Sequence, residues 1–333
     1  MDKNNTELPG SVVDDIVKAT GASSVRIANS LQELWSGYGR IVQLQLSGIS
    51  IDTAILKLIE PPSTAQHPRE WNTTESHQRK IRSYEVETHW YQRFASQCGA
   101  DCKVPIVIDA GSSASRQWIL MEDLTTAYPR RSANLNVAQA QVCLTWLAAF
   151  HARFLKCDPI GLWPIGTYWH LNTRHKELES MPDGVLKARA SELDRRLNEC
   201  QYQCIVHGDA KVANFCFSQD MNSVAAVDFQ YVGGGVGIKD VAYFLGSCLD
   251  ETTIEQYESV LLSSYFSALH EAISTKHSLE MANRVEQEWS GLYAIAWTDF
   301  YRFLEGWMPG HKKINNYTKQ LALRAFEQLA ENY

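Results

Sequence analysis

The sequence predicts a two-lobed α+β fold: an antiparallel five-stranded sheet in an N-terminal lobe, followed by a mainly helical C-terminal lobe. Three observations predict it. Between residues 23 and 123 five short strand-like segments flank one long helical stretch. After Glu122-Asp123 the pattern changes to long amphipathic helices. The chain has 333 residues, enough for two such lobes when a domain takes about 100–200 residues. The expected division is 1–123 and 124–333.

Each element has its own signal. Residues 11–20 read as a short helix. Strand-like runs cover 25–35, 40–46 and 53–59, with Ser36-Gly37-Tyr38-Gly39 a tight turn by composition. Pro61-Pro62 ends the third run, and the polar residues 63–75 read as a loop. Residues 76–97 carry Tyr84, Trp90, Tyr91 and Phe94 on the apolar side of a helix. Strands at 104–109 and 118–121 complete the set. Residues 136–155 form a long amphipathic helix with Asn136 as its N-cap. A Trp/Pro/Gly-rich stretch at 160–170 interrupts, and a further helix is expected over 184–200. Short strands follow at 204–206, 215–217 and 224–227, the last two joined as a hairpin by 218–222. From Asp240 onward helices dominate, one of them spanning 285–307.

Composition narrows the function. Apolar residues make up 45% and charged residues 21%, an ordinary globular balance. Thirty-one basic against 38 acidic side chains leave a net charge of −7, which argues against a broad face for nucleic acid. The opening MDKNNTELPG has no apolar signal core, and no run of apolar residues is long enough for a membrane span, so a soluble cytoplasmic protein is expected. Cys98/Cys102 and Cys200/Cys204 are each spaced by four, which lacks the shorter spacing of zinc knuckles; reduced, mostly buried thiols are the better reading. No Gly-x-x-x-x-Gly-Lys-Ser/Thr occurs, so a P-loop nucleotide site is excluded. The run Gly233-Gly234-Gly235-x-Gly237 reads as a flexible connector, because no helix opens there directly from a strand as a dinucleotide fingerprint requires.

The segment 204–229 carries the chemistry. His207-Gly208-Asp209 follows a strand, Asn214 comes five residues after Asp209, and one hairpin leads to Asp228. Alone, each is an ordinary turn residue. Together they meet the needs of phosphoryl transfer: a carboxylate to take or orient a hydroxyl proton, and two oxygen ligands for Mg²⁺ bridging to ATP phosphates. Asp209, Asn214 and Asp228 supply those groups.

Here the sequence resembles the protein-kinase-like fold, in the small-molecule branch of aminoglycoside phosphotransferases, choline kinases and ecdysteroid-kinase-like proteins. The branch's His-Gly-Asp-x-x-x-x-Asn loop matches 207–214 without a gap, and its metal-binding Asp-Phe matches Asp228-Phe229. Gln230 stands where protein kinases carry Gly. Asp-Phe-Gln and the later run Lys239-Asp240-Val241-Ala242-Tyr243-Phe244-Leu245 look most like the ecdysteroid-kinase-like group. The resemblance covers about residues 30–310. It implies that ATP sits between the lobes, that Asp209 is the base, and that Asn214 and Asp228 bind Mg²⁺. It further implies that His207 braces the loop and that Asp240 caps a helix while propping the catalytic loop. Lys211 would neutralise developing γ-phosphoryl charge, with a plain surface lysine as the rival reading.

Upstream, Lys57 lies in an apolar strand, where a lone charge is costly unless paired. By resemblance it holds the α- and β-phosphates and pairs with a helix glutamate, Glu87, with Tyr91 four residues on; Glu85 is the alternative. Gly37-x-Gly39 occupies the place of a phosphate-covering loop, though a plain hairpin turn fits equally. Backbone groups near Met121 and Glu122 would meet an adenine edge.

The acceptor is less legible. Trp289, Tyr293, Trp297 and Tyr301 recur at i, i+4 spacing, accompanied by Phe300, Phe303 and Trp307. Such a stripe is ordinarily core; as a pocket wall it would suit a quaternary ammonium or a flat apolar alcohol. Only Asp299 and Glu305 accompany it, so a strongly acidic pocket is not expected. Trp163, Trp169 and His170 are further candidates. The expectation is therefore an ATP- and Mg²⁺-dependent phosphotransferase acting on a small alcohol, with a catalytically silent nucleotide-binding scaffold as the alternative. Asp240 comes twelve residues after Asp228 with no Ala-Pro-Glu between, which leaves no room for a protein kinase's peptide-docking loop. No nucleic-acid or membrane partner is expected, and the sequence leaves the oligomeric state open.

Overall fold

The computed structural model describes residues 7–34, 37–61, 74–113 and 116–331. Trp35 and Ser36 of the first strand and turn, Pro62, and most of the expected 63–75 loop lie outside the described residues. The chain forms two compact units: Met1–Gln97 with Val104–Ala127, and Cys98–Lys103 with Tyr128–Tyr333.

The first unit is a five-stranded antiparallel sheet with two helices. Helix α1 (Gly10–Thr20) ends where Gly21 turns left-handed, at φ 75°, and donates its N–H to Val17. Strands β1 (Ser24–Glu33), β2 (Gly39–Ser47) and β3 (Thr53–Ile59) follow, then helix α2 (Thr74–Arg93), then β4 (Val107–Ser112) and β5 (Gln117–Glu122). The order is β1-β2-β3-β5-β4. Strand alternation puts Val42, Leu44, Leu46, Ala54, Leu56 and Leu58 on one face, where they pack with Val12 and Ile16 of α1. The opposite face carries Ile59, with Leu34 and Tyr38, against Tyr84 of α2. Lys57 falls on this second face because it alternates with Leu56 and Leu58.

The second unit is mainly helical: α3 (Val137–Arg153), α4 (His175–Ser180), α5 (Val185–Ala188), α6 (Ala190–Asn198), α7 (Ile238–Cys248), α8 (Glu251–Lys276), α9 (Leu279–Ser290), α10 (Tyr293–Trp307) and α11 (Asn316–Glu331). Asn136 caps α3 in a capping box, its side chain accepting from Gln139 N–H while the Gln139 side chain accepts in return. The short strands β6 (Cys204–Val206), β7 (Phe215–Phe217), β8 (Val224–Ala226) and β9 (Gly233–Gly235) pair as β6 with β9 and β7 with β8, both antiparallel. Among the described residues no helix is long and apolar enough to cross a membrane.

Three expectations are corrected. The 285–307 helix is two, α9 and α10, broken at Gly291 and Leu292; Gly is among the weakest helix formers. The 184–200 helix is likewise split at Arg189, and α4 precedes it. The glycine run at 233–237 is not a flexible connector. Gly233, Gly234 and Gly235 form a fully buried strand on β6, and Gly233 bridges to Trp163. A Cβ on Gly233 would stand 2.2 Å from the Trp163 carbonyl oxygen, and one on Gly234 2.6 Å from that of Pro164. The missing side chains serve close backbone approach rather than freedom.

Candidate active site

The candidate site of the second unit is built on the turn between β6 and β7. After Val206 the chain reverses at Gly208, whose φ of +78° is strained for any other residue; a Cβ there would lie 2.0 Å from the Tyr231 carbonyl oxygen. The reversed loop is held from below. Asp240 accepts from the His207 N–H at 2.6 Å and from the Gly208 N–H at 3.0 Å, one bond to each carboxylate oxygen. His151 of α3 adds its Nε2 to Asp240 at 3.2 Å, and its Nδ1 meets the Tyr265 hydroxyl at 2.9 Å. Asp240 therefore props the loop, but it does not cap α7: it lies in the first turn of that helix, whose N-cap is Gly237. The downstream half is tied by Val212 N–H to Ser247 Oγ at 2.8 Å.

His207 is fully buried between these ties. Its Nδ1 accepts from the Asp209 N–H at 3.3 Å and its Nε2 reaches the Val227 carbonyl at 3.1 Å, which assigns the neutral tautomer with the proton on Nε2. Burial lowers its pKa, against the opposing pull of Asp240. It faces the Phe229 ring at 4.5 Å. This is a bracing geometry, not a catalytic one.

Asp209 is 6% exposed, and its two oxygens differ. Oδ2 takes Lys211 Nζ at 2.8 Å and Asn214 Nδ2 at 3.2 Å. Oδ1 is buried with no hydrogen-bond partner among the described residues. Such an atom costs free energy unless something completes it. Burial pushes the Asp209 pKa up, Lys211 works against that, and Asp228 adds to it. For Lys211 burial disfavours the charge, but the Asp209 carboxylate outweighs it and the net shift is upward.

Asn214 donates Nδ2 also to the Asp209 carbonyl at 2.8 Å, so the atom it keeps for a cation is the lone-pair oxygen Oδ1. Its own carbonyl accepts from Val227 N–H at 2.9 Å, which brings the end of β8, and with it Asp228, beside the loop. Asp228 has a left-handed φ of 69°, a conformation that stores about 1–3 kcal/mol and clusters at functional sites. Gln230 Nε2 donates to its Oδ1 at 2.6 Å. The donor set fits a hard divalent cation: a carboxylate and an amide oxygen, with like charge from Asp209 close by. Among the described residues no three His, Cys, Asp or Glu side chains cluster, so such a cation would rest on few protein oxygens.

In the first unit Lys57 Nζ meets Glu87 Oε2 at 2.6 Å, both side chains buried, with the Tyr84 ring 5.6 Å from the ammonium. Glu85 is not the partner; it lies exposed against Arg82 at 3.3 Å. Gly37 precedes β2 and Gly39 opens it, with φ 73° and 136°. A Cβ on Gly39 would lie 2.0 Å from the Leu58 carbonyl oxygen, so backbone packing alone explains that glycine. Tyr38 between them is buried and hydrogen-bonds His77. Met121 and Glu122 lie at the end of β5, between β3 and β4. Met121 pairs with Ile55 on one side and Val107 on the other, and the Glu122 N–H donates to the Ile106 carbonyl at 2.8 Å. A strand in mid-sheet spends its backbone groups on both neighbours.

The aromatic stripe is core. Trp289 donates to the Tyr202 carbonyl at 2.9 Å, Tyr293 meets the Tyr317 hydroxyl at 2.9 Å, and Trp297 donates to Thr318 at 2.9 Å; all three are buried. Tyr301 is half-buried, its pKa pushed up to about 12 by burial and Glu305. Trp169 is buried too, on Asp299 at 3.1 Å, and His170 contacts Asp194 at 3.2 Å. Trp163 donates to the Gln230 carbonyl at 2.8 Å.

Sequence reasoning missed His151, Ser247, Tyr168 and Lys313, and it named Tyr243 only within the 239–245 run. Tyr168 N–H donates to the Gly208 carbonyl at 3.2 Å, and the Tyr168 and Tyr243 rings lie 5.6 Å apart. Burial, then the charge of Asp209, raises the pKa of each. Gln230, adjacent to Asp228-Phe229, carried a sequence signal for its part, as did Tyr243 in the 239–245 run.

Residues 31–272 match the profile of the phosphotransferase enzyme family. No curated protein matches the chain in sequence. Among solved structures, a microcompartment-associated aminopropanol kinase is 17% identical, with 97% of this chain and 96% of that one covered at a TM-score of 0.49. An amicoumacin kinase in complex with AMP-PNP and Ca²⁺ is 14% identical, with 97% and 94% covered at 0.49. A choline kinase from Streptococcus pneumoniae is 14% identical, with 96% and 98% covered at 0.44.

Proposed function

The chain belongs to the phosphotransferase enzyme family, and from that premise we propose that it moves the γ-phosphoryl group of Mg·ATP to a hydroxyl of a small molecule. One observation supports this reading above the others: the buried Oδ1 of Asp209, which has no hydrogen-bond partner among the described residues while Oδ2 is held by Lys211 and Asn214.

An acceptor hydroxyl donating to Oδ1 would complete that atom and be aligned by it. Asp209 then receives the proton as the phosphoryl group leaves ATP. Lys211 and Asn214 hold Oδ2, which fixes the direction in which Oδ1 points. Asn214 Oδ1 and the Asp228 carboxylate are the residues to hold Mg²⁺, and Gln230 keeps Asp228 in place. The bound ion would supply charge neutralisation for the transferring phosphoryl oxygens. Lys57, aligned by Glu87, is assigned to the α- and β-phosphates. Asp240 and His151 position the loop without touching substrate.

The test is a coupled ADP-release screen over alcohols of differing charge, with Asp209→Asn beside the native chain. Transfer to an acceptor that falls about 10²-fold or more in the variant supports the base assignment. Transfer that survives intact removes Asp209 from the role. A melting shift with Mg·ATP but no transfer to any alcohol supports the scaffold reading instead.

A further inference from the structure

Resting on the phosphotransferase reading, we propose that the acceptor is a hydroxy acid, an alcohol that also carries a carboxylate, and that Lys313 is the specificity-determining residue that receives the carboxylate.

Lys313 lies between α10 and α11. Its Nζ stands 4.9 Å from the centroid of the Tyr243 ring and 5.2 Å from that of Phe300. The Tyr243 ring also lies 5.6 Å from that of Tyr168, whose N–H donates to the Gly208 carbonyl at 3.2 Å, so these rings link Lys313 to the loop that carries Asp209. Trp169, fully buried, packs against both rings, 4.9 Å from Tyr243 and 5.1 Å from Phe300. The Lys313 ammonium has no hydrogen bond or ion pair with any of the described residues. Burial draws its pKa down to about 8, with Lys312 and Lys211 adding repulsion and Asp209 opposing them. The protein thus holds a largely desolvated cation over two ring faces, a cost that an anion would offset.

The neighbouring carboxylates make the same point. Asp299, the acid the sequence places nearest the aromatic residues, is consumed by Arg302 Nε at 2.9 Å and the Trp169 indole. Asp194 serves His170. Arg174, whose guanidinium lies 5.8 Å from the Tyr168 ring centroid, is paired with Glu177 at 3.1 Å. An ammonium-bearing alcohol would therefore find its cation-binding rings already covered by the ammonium of Lys313, and no spare carboxylate beside them. A hydroxy acid finds the reverse: an unpaired donor cation for its carboxylate and Asp209 Oδ1 for its hydroxyl.

The experiment measures ADP release by the full chain with Mg·ATP and two matched sets of acceptors. The first is 4-hydroxybutyrate, 4-hydroxybutyramide and 4-aminobutan-1-ol. The second is 4-(hydroxymethyl)benzoate with its amide and its benzylamine counterpart. The acids are expected to exceed their neutral and cationic partners in kcat/KM by about tenfold or more, the size of one charge-assisted hydrogen bond. Lys313→Met should erase that preference, mainly by raising KM for the acids, and Lys313→Glu should turn it toward the amines. The ratio between acceptors is read within each variant, so partial misfolding does not mimic the result. Mg·ATP binding without preference for either acid, or a Lys313→Met loss confined to kcat and equal for acid and amide, overturns the inference and leaves the phosphotransferase reading standing. No melting shift with Mg·ATP and no ADP release with any acceptor overturns both.

Discussion

The buried pair Lys57–Glu87 separates stability from function. At an N–O distance of 2.6 Å the attraction of two unit charges comes to about 6 kcal/mol with an effective dielectric of about 20. Both side chains gave up water to reach that position, so the net worth of the pair is far smaller. Removing one partner is a different perturbation, because it takes a counter-ion at 2.6 Å away from a charge that stays buried. Lys57→Met or Glu87→Leu alone should destabilise this unit by about 3–5 kcal/mol. The double variant restores an apolar pair of similar volume and should recover most of that loss. Hydrogen exchange read by mass spectrometry localises the effect: amides of Thr53–Ile59 and Thr74–Arg93 should exchange faster by about two to three and a half orders of magnitude in each single variant, at about 1.4 kcal/mol per tenfold. In the double variant they should return to within about tenfold of native. Phosphoryl transfer should stay abolished in the double variant, because the phosphate-holding cation is still missing. Single variants as protected as the native chain, or a double variant no better than the worse single, would refute the reasoning.

Three further outcomes are expected. Gly208→Ala forces a Cβ to within 2.0 Å of the Tyr231 carbonyl oxygen at a left-handed φ, and should lower stability by about 1–3 kcal/mol or more in a calorimetric scan, whereas Gly184→Ala, with open space around it, should not. Asp240→Asn replaces one of two charged acceptors for the His207 and Gly208 N–H groups, and should cut kcat while moving the nucleotide KM little; an unchanged kcat would show that the loop holds itself. Asp209 has its folded-state pKa raised by burial, so its contribution to stability is present below the unfolded pKa and is lost as pH rises through the folded one. Asp209→Asn should therefore melt higher than the native chain at neutral pH, with the gap closing in acid, and a variant that melts lower at neutral pH would contradict the sign.

Part of the candidate site could be read in one dimension. His207, Asp209, Asn214 and Asp228 fall within one strand–loop–hairpin segment, so their meeting depends on local chain reversal, and Gly208 marks where the chain must reverse. Strands β2 and β3 were equally legible, because alternation at 42, 44 and 46 and at 54, 56 and 58 leaves one register that buries these six side chains together, whereas β4 lies at Val107–Ser112, three residues beyond the expected start. The lone lysine of 53–59 called for a partner, and helix spacing offered Glu85 or Glu87. Only the packing of α2 chose between them, by turning Glu87 inward and leaving Glu85 on the Arg82 side.

What the sequence determined alone is local in character: strand and helix types, the cap at Asn136, and an oxygen-bearing triad with the spacing that phosphoryl transfer needs. What only the tertiary structure decided is which side chains from distant elements share a space. An aromatic ring at i, i+4 spacing has the same pattern whether it faces core or ligand, and the folded chain put Trp289, Tyr293 and Trp297 in the core. The glycines of β9 look flexible in sequence because their reason, the backbone of 163–166, lies some seventy residues away. Lys313 carries no motif at all, being one lysine in a loop. Its distance to two rings, and its lack of an ion pair among the described residues, are properties of the fold, since desolvation and charge pairing depend on spatial neighbours and not on sequence neighbours.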